Sequence, residues 1–211
     1  MRFTMMIASV ALVSALMVSA GCEDSSKAGP PSPAASGPQT TARLASPATK
    51  SAVRPAPPTA ALAKLIRINC GAAAAMVDRG GNAWLADVGF ADGDVVDRGD
   101  ITIADTATPE IYRTEHFGMT AFSRAIPNGK YTVKLHFCET YDGVVASGER
   151  VFSVDVEGAV IRQIDPFKDG GGLYKPSVRS VDVEVRDGKL DITFTPEVQN
   201  PEINAIEIIP K

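Results

Sequence analysis

The sequence is poor in the side chains that most enzymes use for acid–base or metal chemistry. Its 211 residues include two histidines, three cysteines and one tryptophan. The motifs H-E-x-x-H, G-x-S-x-G, G-x-G-x-x-G and C-x-x-C do not occur, which removes the usual signs of a zinc protease, a nucleophile elbow, a dinucleotide loop and a redox pair. His136 lies within an alternating run and is predicted to be a packed, hydrogen-bonded histidine, whereas His116 is expected to be exposed. The sequence therefore predicts no catalytic residue, no cofactor and no metal site.

Positive charge is scarce in the C-terminal part of the chain. From Leu65 to Lys211 there are fifteen Lys and Arg against twenty-three Asp and Glu, a net charge of −8. Nucleic-acid binding depends on cations that displace phosphate counterions, so a nucleic-acid partner is excluded. The stretch ADGDVVDRGD does not have the spacing of a calcium loop and is predicted to be a solvated acidic loop. It contains Asp92, Asp94, Asp97 and Asp100.

The first 22 residues differ from the rest. Arg2 precedes an apolar run without charge that ends in small residues, which is typical of a secretory signal. Ser19-Ala20-Gly21-Cys22 resembles a bacterial lipobox, in which the cysteine is acylated, although Ser19 stands where that motif prefers Leu or Val. Ordinary cleavage after Ala20 is the alternative. We favour lipidation of Cys22, which predicts an exported protein held in the cell envelope by an N-terminal lipid, on the periplasmic side or at the surface.

Residues 23–63 are rich in proline, alanine, serine and threonine and have no apolar periodicity, so they are predicted to be a disordered tether. The remaining part, 65–211, has the length of one domain. Two of the three cysteines belong to it: Cys138 falls in a predicted strand, and Cys70 directly follows one. Export permits a disulfide between them, and two separate buried thiols are the favoured alternative.

Hydrophobic residues in 65–211 recur with period two, so that one face of each segment is apolar and the other polar. This pattern is typical of antiparallel sheets that cover a core with one face. Asp187-Gly188 lies between two such runs and predicts a hairpin. The only predicted helix is short and lies near Asp165–Lys168. The predicted strands are Leu65–Asn69, Ile101–Ala104, Ile111–Thr114, Lys130–Glu139, Arg150–Glu157, Ser180–Arg186, Lys189–Thr195 and Ile203–Ile209.

Six segments, in order, resemble the malectin domain. They are IRINCG (66–71), WLADVGF (84–90), PEIYRTEHFG (109–118), IPNGKYTVKLHFCETY (126–141), RVFSVDVEG (150–158) and NPEINAIEI (200–208). The resemblance covers 65–211 and implies an all-β fold, a jelly-roll-like antiparallel β-sandwich of the galactose-binding-like kind with at most one short helix. It also implies carbohydrate binding, since the family's ligand is a short α-linked glucose oligosaccharide.

The resemblance also implies where a sugar would bind. The family grips its ligand with aromatics on strand-end loops and with a carboxylate before an Asn-Pro pair. Here Phe117 keeps a stacking face without a hydroxyl, Asp142 replaces an aromatic, and Gln199 replaces the carboxylate. Tyr112 suits a core position equally well. The predicted ligand-binding residues are Phe90, Tyr112, Phe117, Glu139, Tyr141, Asp142, Gln199 and Asn200.

These observations predict a non-catalytic carbohydrate-binding module displayed on the cell envelope. Its predicted partner is a short glycan, and the family resemblance implies an α-glucoside. Two alternatives stay open. The departures at Asp142 and Gln199 would also suit an envelope protein–protein interaction module that has lost sugar binding. Glu139 and Asp142 lie three residues apart at a strand end and would form a glycosidase pair if their carboxyls faced each other across a cleft.

Overall fold

The computed structural model describes residues 63–211. The predicted signal, Cys22 and the predicted tether up to residue 62 lie outside the described residues. The described part contains thirteen strands, one 3₁₀ helix (Pro109–Tyr112) and one short α-helix, α1 (Pro166–Gly170). The strands are β1 (Ile66–Asn69), β2 (Met76–Val77), β3 (Ala83–Trp84), β4 (Asp94–Asp97), β5 (Thr114–Phe117), β6 (Ala121–Ala125), β7 (Gly129–Cys138), β8 (Val151–Val156), β9 (Ala159–Ile164), β10 (Pro176–Val185), β11 (Lys189–Val198), β12 (Glu202–Ile203) and β13 (Ala205–Pro210).

Two antiparallel four-stranded sheets form a sandwich. One has the order β1-β13-β7-β10 and the other the order β6-β11-β8-β9. Alternate residues of each sheet point inward, so that Leu135 and Phe137 of β7 share one buried core with Val154 of β8 and Ile192 of β11. Burial of these side chains is the main stabilising term for a sheet fold of this kind. The predicted all-β sandwich is confirmed.

Two smaller sheets lie at the edges of this sandwich. One is the pair β2-β3, and the other has the order β12-β5-β4. In the second, Phe117 of β5 is in register with Asp94 of β4 on one side and with Glu202 of β12 on the other. This three-stranded sheet matters for function, because it brings three segments distant in sequence to the end of β7.

Most of the predicted strands are confirmed to within a few residues. Two are wrong: Ile101–Ala104 is irregular, and Ile111–Thr114 contains the end of the 3₁₀ helix and one residue of β5. Short apolar runs do not distinguish a strand from a helical turn. The strands β2, β3, β4, β6 and β9 were not predicted, and β4 lies within the segment predicted to be a solvated acidic loop. The predicted helix is confirmed as α1, whose N-cap Asp165 accepts a hydrogen bond from the Lys168 amide at 3.0 Å.

The predicted hairpin at Asp187-Gly188 is wrong. It joins β10 to β11, and these strands belong to different sheets. The turn is held by Asn128, whose Oδ1 accepts from the Gly188 amide at 2.6 Å and whose Nδ2 donates to the Arg186 carbonyl at 2.8 Å. The dipeptide therefore lies at a reversal of the chain, as predicted. The two flanking strands do not pair with each other, because each joins a different sheet of the sandwich.

Both histidines and two of the three cysteines, Cys70 and Cys138, lie inside the domain. His136 is packed and hydrogen-bonded, as predicted, with Nδ1 2.8 Å from the Tyr112 hydroxyl. His116 was expected to be exposed, and this is wrong: it is 6% exposed because Phe90 stacks on its ring and Asp87 pairs with Nδ1. Cys70 and Cys138 are both buried and free. Over residues 63–211, no helix is long and apolar enough to cross a membrane.

Candidate functional site

A cavity of about 330 Å³ opens where β4, β5 and β7 end beside the loop between β11 and β12. Its volume lies at the lower end of the range for small-ligand sites. Four of the predicted ligand-binding residues converge on it: Phe117, Tyr141, Gln199 and Asn200. The complete lining is Val96, Arg98, Glu115, Phe117, Tyr141, Arg150, Gln199 and Asn200.

Tyr141 forms one lip of the cavity. Its side chain follows the end of β7 and is 46% exposed. The backbone amide of Tyr141 donates to Glu139 Oε1 at 3.0 Å, which fixes the start of the turn. The ring folds back over Gly143, where a Cβ atom would lie 2.4 Å from the ring. A glycine at this position is therefore required for the ring to take the position it has.

Gln199 and Asn200 form the opposite lip, in the loop that leaves β11. Both are exposed, and Gln199 adopts a left-handed backbone conformation with φ of 59°. Such a conformation is uncommon for a residue other than glycine and requires support from its surroundings. Arg150 supplies that support, since its Nη1 donates to the Asn200 carbonyl at 2.5 Å.

Arg150 forms the floor between the two lips and is paired with the buried Glu139 beneath it. Arg150 Nε donates to Glu139 Oε2 at 2.6 Å, and Arg150 Nη2 donates to Glu139 Oε1 at 3.3 Å. Burial alone would disfavour the charge on Arg150, but the hydrogen bond and the charge of Glu139 outweigh it and raise the Arg150 pKa. The guanidinium therefore stays charged and can hold both Glu139 and the Asn200 carbonyl.

A second ion pair lies beside the first. Arg98 Nη2 donates to Glu115 Oε1 at 2.7 Å, and Arg98 Nε donates to the Thr140 hydroxyl at 3.2 Å. That hydroxyl in turn donates to Glu115 Oε2 at 2.5 Å. Arg98 also lies with its guanidinium carbon 5.9 Å from the centre of the Tyr141 ring, a favourable cation–π distance. Its side chain is 26% exposed, so it faces the cavity as well as Glu115.

A third glutamate, Glu202, is buried next to these pairs. It is 0% exposed, and neither of its carboxyl oxygens has a hydrogen-bond partner among the described residues. Burial raises its pKa well above the ordinary value, and the charges of Glu115 and Glu139 raise it further. The charge of Arg150 and the Cys138 amide favour ionisation, but neither forms a hydrogen bond with the carboxyl. Burial of Glu202 therefore favours the neutral, protonated form of its carboxyl in the folded state.

The other four predicted site residues do not line the cavity. Phe90 stacks on His116 with ring centres 3.9 Å apart and packs against the core. Tyr112 is buried in a second small core, so its ring cannot contact a ligand in the cavity. Glu139 lies beneath the floor. Asp142 is exposed and accepts a hydrogen bond from the Tyr174 hydroxyl.

Sequence reasoning missed Arg98, Arg150 and Glu202. The residues next to Arg98 and Arg150 in the sequence do not indicate a site, because each arginine acts through a glutamate that is distant in sequence and is brought next to it by the fold. Glu202 had a weak signal, since it is a lone carboxylate before the apolar run INAIEI. Within residues 63–211, no cluster of three or more His, Cys, Asp or Glu side chains is arranged to hold a metal ion.

Comparison with known proteins places these features in context. Residues 64–206 match the family described as Malectin domain. Receptor-like protein 4 of Arabidopsis thaliana is 36% identical over 84 residues, which are 39% of this chain and 13% of that protein. The β-glucuronidase of Bacteroides uniformis superposes with a TM-score of 0.64 at 18% identity, over 70% of this chain and 18% of that chain.

A third similar structure is the complex of the plant peptide RALF23 with FER and LLG2. It superposes with a TM-score of 0.61 at 17% identity, over 70% of this chain and 49% of that chain. At such identities these solved structures support the fold alone. The chain spans a minor part of the length of each of these relatives, so their activities do not transfer with the matched region.

Proposed function

Because the chain belongs to the malectin-domain family, we propose that residues 65–211 form a carbohydrate-binding module for a short glycan. One observation carries the proposal: an exposed tyrosine ring and two exposed side-chain amides converge on one cavity from segments that are distant in sequence. A sugar ring offers an apolar face that packs on an aromatic ring, and hydroxyls that both donate to and accept from amides. Tyr141 supplies the first contact, and Gln199 and Asn200 supply the second.

The size of the cavity favours a short ligand. A volume of about 330 Å³ suits a small ligand and leaves little room for several side-by-side chains. Phe117 adds a second, half-buried aromatic surface on the β5 side. An oligosaccharide of few residues, or the end of a longer one, fits this arrangement.

The module is proposed to bind its glycan without cleaving it. A glycosidase needs two carboxyls about 5 to 10 Å apart that flank the scissile bond. Glu139 is 0% exposed and is held by Arg150, so its carboxyl cannot reach a bond in the cavity. Asp142 is bonded to Tyr174 outside the lining. The geometry thus favours binding over the glycosidase alternative with this pair.

Export and lipid anchoring complete the proposal. They rest on the signal-like sequence of residues 1–22 and on the lipobox-like segment that ends at Cys22. Radiolabelled palmitate should be incorporated into the protein when it is expressed in a bacterial host, and incorporation should be lost in Cys22→Ser. Equal labelling of both proteins would contradict anchoring at this cysteine.

A second candidate is a protein–protein interaction module on the same fold. The solved complex of FER with a peptide and LLG2 favours it, as do the departures from the family pattern at Asp142 and Gln199. Crosslinking of the exported protein in intact cells, followed by purification, should then recover a stoichiometric protein partner. Loss of that partner in Tyr141→Ala would support this reading over glycan binding.

Titration calorimetry of the purified full chain, guided by a glycan array, tests the proposed function. We expect binding to at least one short glycan, with a loss of at least tenfold in affinity in Tyr141→Ala and a smaller loss in Gln199→Ala. Val160→Ala, on the exposed surface of β9, is the control and should bind as the wild type does. Absence of binding to every glycan, or unchanged affinity in Tyr141→Ala, would contradict the proposal.

A further inference from the structure

Arg98 has hydrogen-bonding capacity directed at the cavity. A guanidinium carries five N–H donors. Its bonds to Glu115 and Thr140 use two of them, and the remaining three have no hydrogen-bond acceptor within residues 63–211. The side chain is 26% exposed, and its guanidinium carbon lies over the Tyr141 ring, 5.9 Å from the ring centre. A ligand on Tyr141 would therefore lie within reach of a cation that still has free donors.

The carboxylates that line the cavity or flank Arg98 along the chain are buried or have another partner, and the exposed Asp142 next to Tyr141 accepts from the Tyr174 hydroxyl. Glu115 and Glu139 are almost fully buried, and they form ion pairs with Arg98 and Arg150, respectively. In the segment around Arg98, which follows β4, Asp97 accepts a hydrogen bond from the Gly99 amide, and Asp100 pairs with the guanidinium of Arg113 at 2.8 Å. The lining itself contains two arginines and one carboxylate, and that carboxylate is buried. Arg98 is therefore the charged side chain of the lining with the largest exposed fraction, 26% against 6% for Arg150.

Gln199 points to the same conclusion. It occupies the position where the family resemblance implies a carboxylate, on the lip opposite Tyr141. A carboxylate there would repel an anionic ligand and would compete with it for Arg98. The amide removes that charge and offers an N–H donor in its place.

Resting on the proposed function, we propose that the module recognises acidic glycans, in which a sugar carboxylate pairs with Arg98. Charge-assisted hydrogen bonds between a guanidinium and a carboxylate are short and are frequently bidentate, which gives them geometric as well as energetic selectivity. A uronic acid combines the two required features in one unit: a ring face for Tyr141 and a carboxylate at the ring edge. Arg98 is the specificity-determining residue in this arrangement, and Tyr141 supplies affinity for the ring.

The test compares one sugar with and without its charge. Disaccharides that contain glucuronate or galacturonate are titrated into the full chain beside their methyl esters, which keep the shape and remove the charge. We expect at least one acid to bind about tenfold more tightly than its ester, with a ratio that falls as salt is raised. Equal affinity for every acid and its ester would overturn the inference.

Two variants test whether the preference for the acid over its ester arises from Arg98 in the cavity. Arg98→Gln should remove the difference between acid and ester, whereas Arg162→Gln, on the exposed surface of β9, should keep it. Because Arg98→Gln leaves Glu115 without its cation, Gln199→Glu is a second variant that places an anion on the exposed lip without touching the buried pairs. It should reverse or abolish the preference for the acid. An acid preference that survives both changes would contradict a role for Arg98.

The outcomes also separate this inference from the proposed function. Tyr141-dependent binding of neutral glycans without any preference for acids would overturn the inference and leave the proposed function supported. Failure to bind acids, esters and neutral glycans alike would overturn both. Acid-selective binding that depends on Arg98 would support both.

Discussion

Glu139 and Arg150 form a bidentate ion pair beneath the cavity, and through it the two lips are connected. Glu139 accepts from the Tyr141 amide on one side, and Arg150 donates to the Asn200 carbonyl on the other. The carboxylate that the sequence offered as a ligand contact or catalytic acid is therefore a structural link. It positions the aromatic lip relative to the amide lip.

This link predicts a large cost for breaking the pair on one side only. Arg150→Met should lower the free energy of unfolding by about 3 to 5 kcal/mol, because it leaves the Glu139 charge buried without a partner. The double variant Glu139→Gln/Arg150→Met should recover much of that loss. Urea denaturation of the two variants and the wild type measures the difference.

An exposed pair provides the control for that experiment. Lys189 and Asp191 are 2.8 Å apart at the surface, and Lys189→Ala should change stability by less than about 1 kcal/mol. A cost of similar size at Lys189 and Arg150 would contradict the assignment of Glu139–Arg150 as the link between the lips.

The fold was largely readable from the sequence, and the site was readable in part. Period-two alternation identifies β7, β8, β10 and β11 because each covers a core with one face. It does not reveal partners, so the turn at Asp187-Gly188 was read as a hairpin although it joins two sheets. Phe117 and Tyr141 were found because aromatics at strand ends resemble a known pattern. Arg98 and Arg150 were not found, since their function arises from glutamates placed by long-range pairing.

Substitution of Gly143 should weaken glycan binding without a comparable loss of folding stability. Gly143→Ala would place a Cβ within 2.4 Å of the Tyr141 ring, so the ring must move out of its position at the lip. We expect affinity for the glycan to fall severalfold, while the unfolding free energy changes by less than about 1 kcal/mol for this surface turn. Titration calorimetry and urea denaturation on the same preparations measure the two effects.

A double variant shows whether the ring is the cause. In a Tyr141→Ala background there is no ring to displace, so Gly143→Ala should have little further effect on affinity. A full additional loss in that background would mean that the substitution acts through the backbone of the turn instead.

Glu202 predicts that stability falls as the pH rises. Its pKa in the folded state is raised by burial, so the folded protein keeps a proton that the unfolded chain releases above its ordinary pKa of about 4.3. The contribution of this group is greatest below that value and is lost as the pH rises towards the folded-state pKa, at about 1.4 kcal/mol per pH unit. Glu202→Gln removes this dependence.

Urea denaturation between pH 5 and pH 8 measures it. The stability of the wild type relative to Glu202→Gln should decrease as the pH rises above 5, since the amide does not titrate. Parallel curves for the two proteins would contradict a raised pKa of Glu202 in the folded state. The comparison isolates Glu202, because every other titrating group is present in both proteins.

His116 predicts a second, separable effect of pH. Burial lowers the pKa of this imidazole, but the hydrogen bonds to Asp87 and to the Asp92 carbonyl outweigh burial and raise it above the ordinary value of about 6.5. The charged form is therefore favoured in the folded state. Its stabilising contribution is complete below about pH 6.5 and is lost as the pH rises through the folded-state pKa. Asp87→Asn should lower the His116 pKa and weaken this dependence, because it removes the charge while keeping the Oδ1 acceptor that binds the Gly71 amide.

Proton NMR of the imidazole resonances follows this titration directly, with the His116 signal assigned by comparison with His136→Gln. The wild-type midpoint should lie above 6.5, and the Asp87→Asn midpoint should lie below that of the wild type. A wild-type midpoint at or below 6.5 would mean that burial outweighs the hydrogen bonds. The Phe90 ring would then stack on a neutral imidazole. In that case an Asp87–His116 charge pair would not stabilise the segment between β3 and β4.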